Sequence, residues 1–189
     1  MNLIEPVINT SRLELHHVSA AQLIELFENR DDSSILKNAD FTNPLRVLID
    51  FQGPLAWRVP QIKLDSSVNK WFVRLVVLKS NREVIGSTSF HGAPDKDGMM
   101  EIGLGIEGAY QNQGYAKETL LAMWRWVLTY PEVKLLRYTV DPENAPSIEV
   151  IKYFGFEFKG QQMDEVDGPE DIYEMTAQDF TEKWGIENG

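Results

Sequence analysis

The chain has 189 residues, of which 43% are hydrophobic, 25% charged and 11% aromatic, with a formal net charge of -11 and no cysteine. That length suits one domain spanning residues 1–189, and the apolar and aromatic content is too high for a disordered chain. The negative charge repels a phosphate backbone, so no nucleic-acid partner is expected, and the missing thiols exclude disulfides, thiolate metal sites and a cysteine nucleophile.

Met1 to Thr10 lacks a basic segment followed by an apolar run, so no secretion signal is expected. No stretch approaches the ~20 apolar residues that span a bilayer. A cytoplasmic chain with no membrane partner is the expectation, and Asn9-Thr10-Ser11 is then a chance glycosylation sequon. Leu13-Glu14-Leu15-His16 alternates apolar and polar, which predicts a short strand with His16 and His17 on opposite faces. Ser19 and Gln22 have the spacing of a capping box, and Leu23, Ile24, Leu26 and Phe27 give the following helix its apolar face. Residues 30–66 read as mostly irregular, with a short helix from Asn43-Pro44 through Ile49 that ends near Gly53-Pro54. Long irregular segments often line binding sites; Trp57 and Trp71 are candidates to line a cleft there, or serve packing alone.

Trp71 to Leu78 and Val84 to Phe90 predict two strands joined at Ser80-Asn81-Arg82. After a turn at Pro94 to Gly98, Met99 to Ile106 predicts a third strand. Gly103 and Gly105 share one of its faces, a pattern that serves sheet curvature, a bulge or close approach by a ligand. Leu120, Trp124, Val127 and Leu128 mark a helix from about Ala116 to Thr129. Leu135 to Val140 reads as a strand broken by Asp141-Pro142. A helix from near Asn144 carries Ile148 and Ile151 on one side and stops at Gly155. Phe156 to Phe158 and Asp171 to Met175 form a closing strand pair. Hairpins followed by strand–helix alternation predict an α/β (α+β) fold with a mixed, mostly antiparallel sheet and helices on both faces.

The chemistry points to Gln111-Asn112-Gln113-Gly114-Tyr115-Ala116, between a strand and a helix. A helix start leaves its first N–H groups unpaired and partly positive, which suits a phosphate. Gly114 removes a side chain that would block close approach; alone, it is equally the glycine of a tight turn. No Gly-Lys-Ser/Thr follows and G-x-G-x-x-G is missing, so neither a Walker loop nor a dinucleotide fingerprint is present.

The same six residues resemble the Gln/Arg-x-x-Gly-x-Gly/Ala motif of the GNAT acetyltransferases. Glu101 to Ile106 sits where that family has its central strand, and Asn144-Ala145-Pro146-Ser147 followed by Phe154-Gly155-Phe156 is similar to its downstream signature. Thr10-Ser11-Arg12-Leu13-Glu14-Leu15 resembles the opening of the branch that includes the ribosomal-protein alanine acetyltransferases. The resemblance spans nearly the whole chain. It implies a GNAT acyl-CoA N-acyltransferase fold, splayed to hold CoA in a V between two strands, and transfer of acetyl from acetyl-CoA to a primary amine, either a peptide N-terminus or a small molecule.

By that resemblance, the amides of Gln113, Gly114, Tyr115 and Ala116, with Gln111 and Asn112 in the same loop, bind the pyrophosphate. Ile102, Gly103, Leu104, Gly105 and Ile106 line the pantetheine arm, and an amide of Gly105 or Ile106 is placed to hold the thioester oxygen. Asn144 bonds the CoA arm, or simply caps the helix. Ser147 protonates the departing thiolate; where many members carry a tyrosine this chain has Ile151, which leaves Tyr153 as an alternate. Glu101 is the candidate base for the amine, or simply an exposed strand-end carboxylate; His91, which closes the preceding strand, is a residue type able to change charge near neutrality, or a structural histidine. No histidine–carboxylate spacing suggests a metal. Without cysteine, direct attack is expected over an acyl-enzyme. The acidic charge and the acidic run from Asp164 to Asp171 are compatible with a cationic acceptor, as the sequence is with a homodimer. The alternative is a non-catalytic acyl-CoA sensor.

Overall fold

Residues 4–164, 166 and 168–185 are described in a computed structural model. Its strands are β1 (Ile8–Asn9), β2 (Leu13–His17), β3 (Arg74–Leu78), β4 (Glu83–Phe90), β5 (Met99–Ile106), β6 (Leu135–Val140), β7 (Glu157–Asp164) and β8 (Gly168–Thr176). Its helices are α1 (Ala20–Asn29), α2 (Ser33–Leu36), α3 (Leu55–Leu64), α4 (Tyr115–Val127), α5 (Ala145–Phe154) and α6 (Ala177–Trp184). The strands form one sheet in the order β1-β2-β3-β4-β5-β6-β8-β7. All its pairings are antiparallel except β5 with β6.

Local chemistry explains the ends of these elements. Ser19 and Gln22 form the expected capping box at the start of α1. Asn144 caps α5 and Pro146 occupies its first turn, while Gly155 ends it at φ 88°, a left-handed position that glycine takes at little cost. β3 is buried at every position and β4 from Val84 to Phe90, so the middle of the sheet is covered on both faces. On one face Trp124 of α4 is fully buried among Phe154, Phe156 and Phe180, which ties α4, α5 and α6 together. Truncating such a residue typically costs about 3–5 kcal/mol.

The segment from 30 to 66 departs from its expected form. Residues 43–49 are not helical. The Asn43 side chain accepts from Val47 N (2.9 Å) and donates to Val47 O (3.2 Å), and Arg46 and Leu48 sit at φ 53° and 64°. A side chain that satisfies these backbone groups replaces the helical ladder. Gly53-Pro54 does not end a helix but precedes α3, which runs on with Pro60 inside it. Trp71 ends a 3₁₀ turn, and the strand starts at Arg74. The closing pair β7–β8 is longer than the sequence suggests.

One feature of the sheet positions the site. β5 pairs with β6 only over Met99–Glu101 against Leu135–Arg137, yet with β4 from Ile102 to Ile106. Beyond Glu101 the two parallel strands therefore part, and a V opens between them.

Candidate active site

Register decides which groups face which side of β5. Ser87 and Ser89 lie opposite Gly105 and Gly103, so these four residues share a face. Arg58 of α3 reaches Ser89 on that face. Phe90 meets Trp126 of α4 on the other, so α3 and α4 cover opposite sides. Backbone direction alternates as well. His91 N donates to Glu101 O and Glu107 N to Ile85 O, so the odd-numbered residues of β5 spend their backbone groups on β4. Leu104 and Ile106 then direct theirs into the V. Of the two amides expected to hold a thioester oxygen, Gly105 is committed to β4, while Ile106 and its neighbour Leu104 are available.

The cavity in the V has a volume of about 740 Å³. Leu104, Gly105, Ile106, Gln111, Asn112, Gly114, Tyr115, Ala116, Asn144 and Ser147 line it, which brings together most of the residues expected to contact CoA. Ile102 is buried and Gly103 lies on the opposite side, so neither lines it. Gln113 does not line it either; its carbonyl accepts from Arg12. Gly114 adopts φ 83°, where an L side chain is strained, and a Cβ there would come within 3.3 Å of Arg12 Nη2. Among the described residues the N–H groups of Gln113, Gly114, Tyr115 and Ala116 meet no protein acceptor. Glu118, in the first turn of α4, is held by Thr10 and by the backbone and Nε of Arg12. Burial raises its carboxyl, but those bonds outweigh burial and hold it below the ordinary range. Arg12 also stacks on the Tyr115 ring at 4.4 Å, so a residue that the sequence marked only within the Thr10 to Leu15 opening braces the loop.

On the same side Ser147 Oγ lies 2.8 Å from the hydroxyl of Tyr138, which also lines the cavity. Burial pushes the Tyr138 phenol above its ordinary value, with Ser147 opposing, so it keeps its proton at neutral pH. Sequence reasoning missed Tyr138; the alternation of Leu136, Tyr138 and Val140 on one strand face was the available signal. Asn144 caps α5 through its Oδ1 and leaves its amide nitrogen without a protein partner, so capping and ligand contact are compatible. Ile151 is fully buried. Tyr153 is half exposed under Lys117 and outside the V.

A second cavity of about 470 Å³ lies on the α3 side and shares Leu104, Gly105 and Ile106 with the first. Gly103 and Gly105 help to line it. A Cβ at Gly105 would meet nothing within 4 Å, whereas one at Gly103 would come within 3.2 Å of His91 Nε2. Its other wall is the 45–54 segment together with Arg58, Ser87, Ser89 and His91. Thus the irregular segment does build a cleft, but Trp57 is half exposed outside it and Trp71 packs against Trp126 and Tyr130. His91 Nδ1 lies 3.0 Å from Glu101 Oε1, which also accepts from Thr139 at 2.7 Å. Burial raises the Glu101 carboxyl, but His91, Thr139 and Arg137 together hold it below the ordinary value. It is therefore anionic at neutral pH.

His16 pairs with Glu14, while buried His17 bonds Asn69 O. Of the acidic run, Glu165 and Asp167 lie outside the described residues. The remainder belongs to the β7–β8 hairpin at the sheet edge and lines neither cavity. Among the described residues there is no cluster of three potential metal ligands, and no helix is long and apolar enough to cross a membrane.

Comparison with known proteins agrees with this geometry. The family model of the acetyltransferase (GNAT) domain matches residues 12–157. An uncharacterized N-acetyltransferase of Bacillus subtilis (strain 168), YjdG, is 26% identical over 151 residues, covering 79% of this chain and 89% of its own. The ribosomal-protein-S5-alanine acetyltransferase from Vibrio fischeri superposes with a TM-score of 0.64 at 15% identity, over 93% of this chain and 99% of its own. The microcin C7 self-immunity acetyltransferase, solved with acetyl-CoA and AMP, superposes with a TM-score of 0.60 at 14% identity, over 89% and 94%. At these identities the structural likeness speaks for the fold.

Proposed function

The chain belongs to the GNAT acetyltransferase domain family and is an acetyl-CoA-dependent N-acetyltransferase; from that premise we propose that its two cavities divide the substrates across β5. The V takes acetyl-CoA and the α3-side cavity takes a primary amine, so that the amine attacks the thioester directly past the end of the splay. The observation that carries this reading is that both cavities are walled by the same three residues, Leu104 to Ile106.

Acetyl-CoA supplies the activated thioester. The free N–H groups at the start of α4 suit its pyrophosphate, and the N–H groups of Leu104 and Ile106 are donors for the thioester oxygen as negative charge develops on it. Glu101 acts through His91. A carboxylate only accepts hydrogen bonds, so His91 carries its proton on Nδ1 and offers Nε2 as a base. A protonated amine cannot attack, and Nε2 accepts its proton. As the new C–N bond forms the C–S bond breaks; the thiolate takes a proton from Ser147, which recovers one from Tyr138, while the second proton shed by the acylated nitrogen leaves through half-exposed His91 to water, from which Tyr138 regains its own.

A thiol-release assay tests the division. It uses acetyl-CoA with a panel of N-terminal peptides, amino acids, polyamines and aminoglycosides. Release with at least one amine is expected, and that amine should leave the thermal shift produced by CoA alone intact. Binding of CoA without release on any amine would instead favour an acyl-CoA sensor.

A further inference from the structure

Among the described residues two arginines are buried, and they are handled differently. Arg74 is fully buried, donates to Pro6 O and Leu15 O, and stacks on Trp126. Two of its nitrogens are sealed from solvent, so its role ends in the core. Arg58 is only 5% exposed, yet it lines the α3-side cavity. Its one protein hydrogen bond is a long one from Nε to Ser89 Oγ, 3.4 Å. Among the described residues its terminal nitrogens meet no protein acceptor, and unlike Nη2 of Arg74 they are not sealed from solvent. Among the described residues no carboxylate lies within ion-pair distance of it. Burial pushes its guanidinium down to about 10, and only the field of Glu101 opposes this.

The other charges around this cavity are already spent or lie elsewhere. Arg46 pairs with Asp50. Glu101 is shared between His91 and Thr139. Glu107, just past the end of β5, stands four residues beyond Gly103, roughly 13 Å at the usual rise per residue. Arg58 stands beside Ser89, the partner of Gly103 in the ladder, on the same face as His91 Nε2. A buried cation with open donors and no counter-ion is costly unless a ligand supplies the anion, and a guanidinium fork matches a carboxylate or phosphate.

We infer that the acceptor is a small amine carrying a carboxylate or phosphate a few bonds from its nitrogen, with the anion held by Arg58. This rests on the assignment of the α3-side cavity to the acceptor and adds the class of molecule. It turns the expectation of a cationic acceptor around: the negative field of the whole chain acts on the ammonium end, and the buried arginine selects the other end. A polyamine would set a second positive charge against Arg58.

The test compares matched amines in the thiol-release assay: ethanolamine against O-phosphoethanolamine, α-amino acids against the amines left by their decarboxylation, and spermidine. The expected result is a kcat/KM at least about tenfold higher for one anionic member over its neutral partner, because a site built around a charged contact rejects the analogue that lacks it. Which arm wins separates phosphate from carboxylate. In Arg58→Gln that preference should fall to within about twofold, with the CoA thermal shift retained as the sign of a folded protein. Should that variant fail to fold, inorganic phosphate or acetate competing with the amine in the native protein carries the same point. Spermidine or the neutral amines turned over as well as the anionic ones, a preference that survives Arg58→Gln, or no competition by either anion would overturn the inference. Each of these results still contains acetyl transfer, so it leaves the two-cavity reading standing.

Discussion

The two sides of β5 are built from different materials. On the α4 side the ligand-facing groups are largely backbone: a helix start opened by Gly114 and strand amides freed where β5 leaves β6. On the α3 side they are side chains delivered from separate stretches of chain: Arg58 from a helix, Ser87, Ser89 and His91 from β4 and its end, and the 45–54 loop. Backbone groups bind what any sequence with the right turn can bind, which suits a co-substrate of fixed structure. Under the proposed division, it is the side chains that would set which acceptor is taken. The difference predicts that damage to the backbone groups of the first side abolishes binding, while loss of a side chain on either side changes rate or choice.

The largest expected break is Gly114→Val. The left-handed φ of 83° and the nearby Arg12 leave no unstrained place for a branched side chain. CoA affinity measured by calorimetry should fall by about a hundredfold or more, at roughly 1.4 kcal/mol per decade, with the fold retained by circular dichroism; normal affinity would reject the loop as the phosphate site. Next comes His91→Ala, which should lower kcat by about 10²–10³ with CoA affinity unchanged; an unaltered kcat would remove His91 as the base. Ser147→Ala and Tyr138→Phe sharpen the first side. Each should cost roughly tenfold in kcat, and the double variant little more than either, because groups that act as a unit are not additive. A fully additive double variant would mean that the two hydroxyls work separately.

The smallest effect is on stability. Glu101 is held below the ordinary glutamate value in the folded chain. Between its folded and unfolded values the unfolded chain binds more protons, so the contribution is complete at neutral pH and is lost as pH falls from about 5 through the ordinary value toward the folded one. Glu101→Gln should therefore flatten the fall of melting temperature over that acid range by about 2–4 °C. Parallel curves for the two proteins would show that the carboxylate gains nothing from its partners.

How much could be read beforehand follows the same division. β5 and β6 run from Met99 to Ile106 and from Leu135 to Val140 as their apolar patterns predict, and the loop between β5 and α4 carries a motif whose physics is local. The 43–49 loop was illegible because one side chain, Asn43, overrides the helical ladder there. α3 was hidden by Pro60, which reads as a helix breaker. Nothing near Arg58 in sequence announces its role, since Ser89 lies 31 residues away. The pairing of His91 with Glu101 needed the ladder between β4 and β5 before either residue could be given a partner.

The clamp of Arg12 on Glu118 joins residues 106 positions apart. A growing chain cannot close it until α4 has been synthesised, however early the first hairpin forms, and a contact of such long range is slow to make once it can be made. If the braced loop holds the pyrophosphate as proposed, that competence is acquired late in the protein's assembly. It should also be the first property lost when the leading strand peels away, before the sheet itself gives.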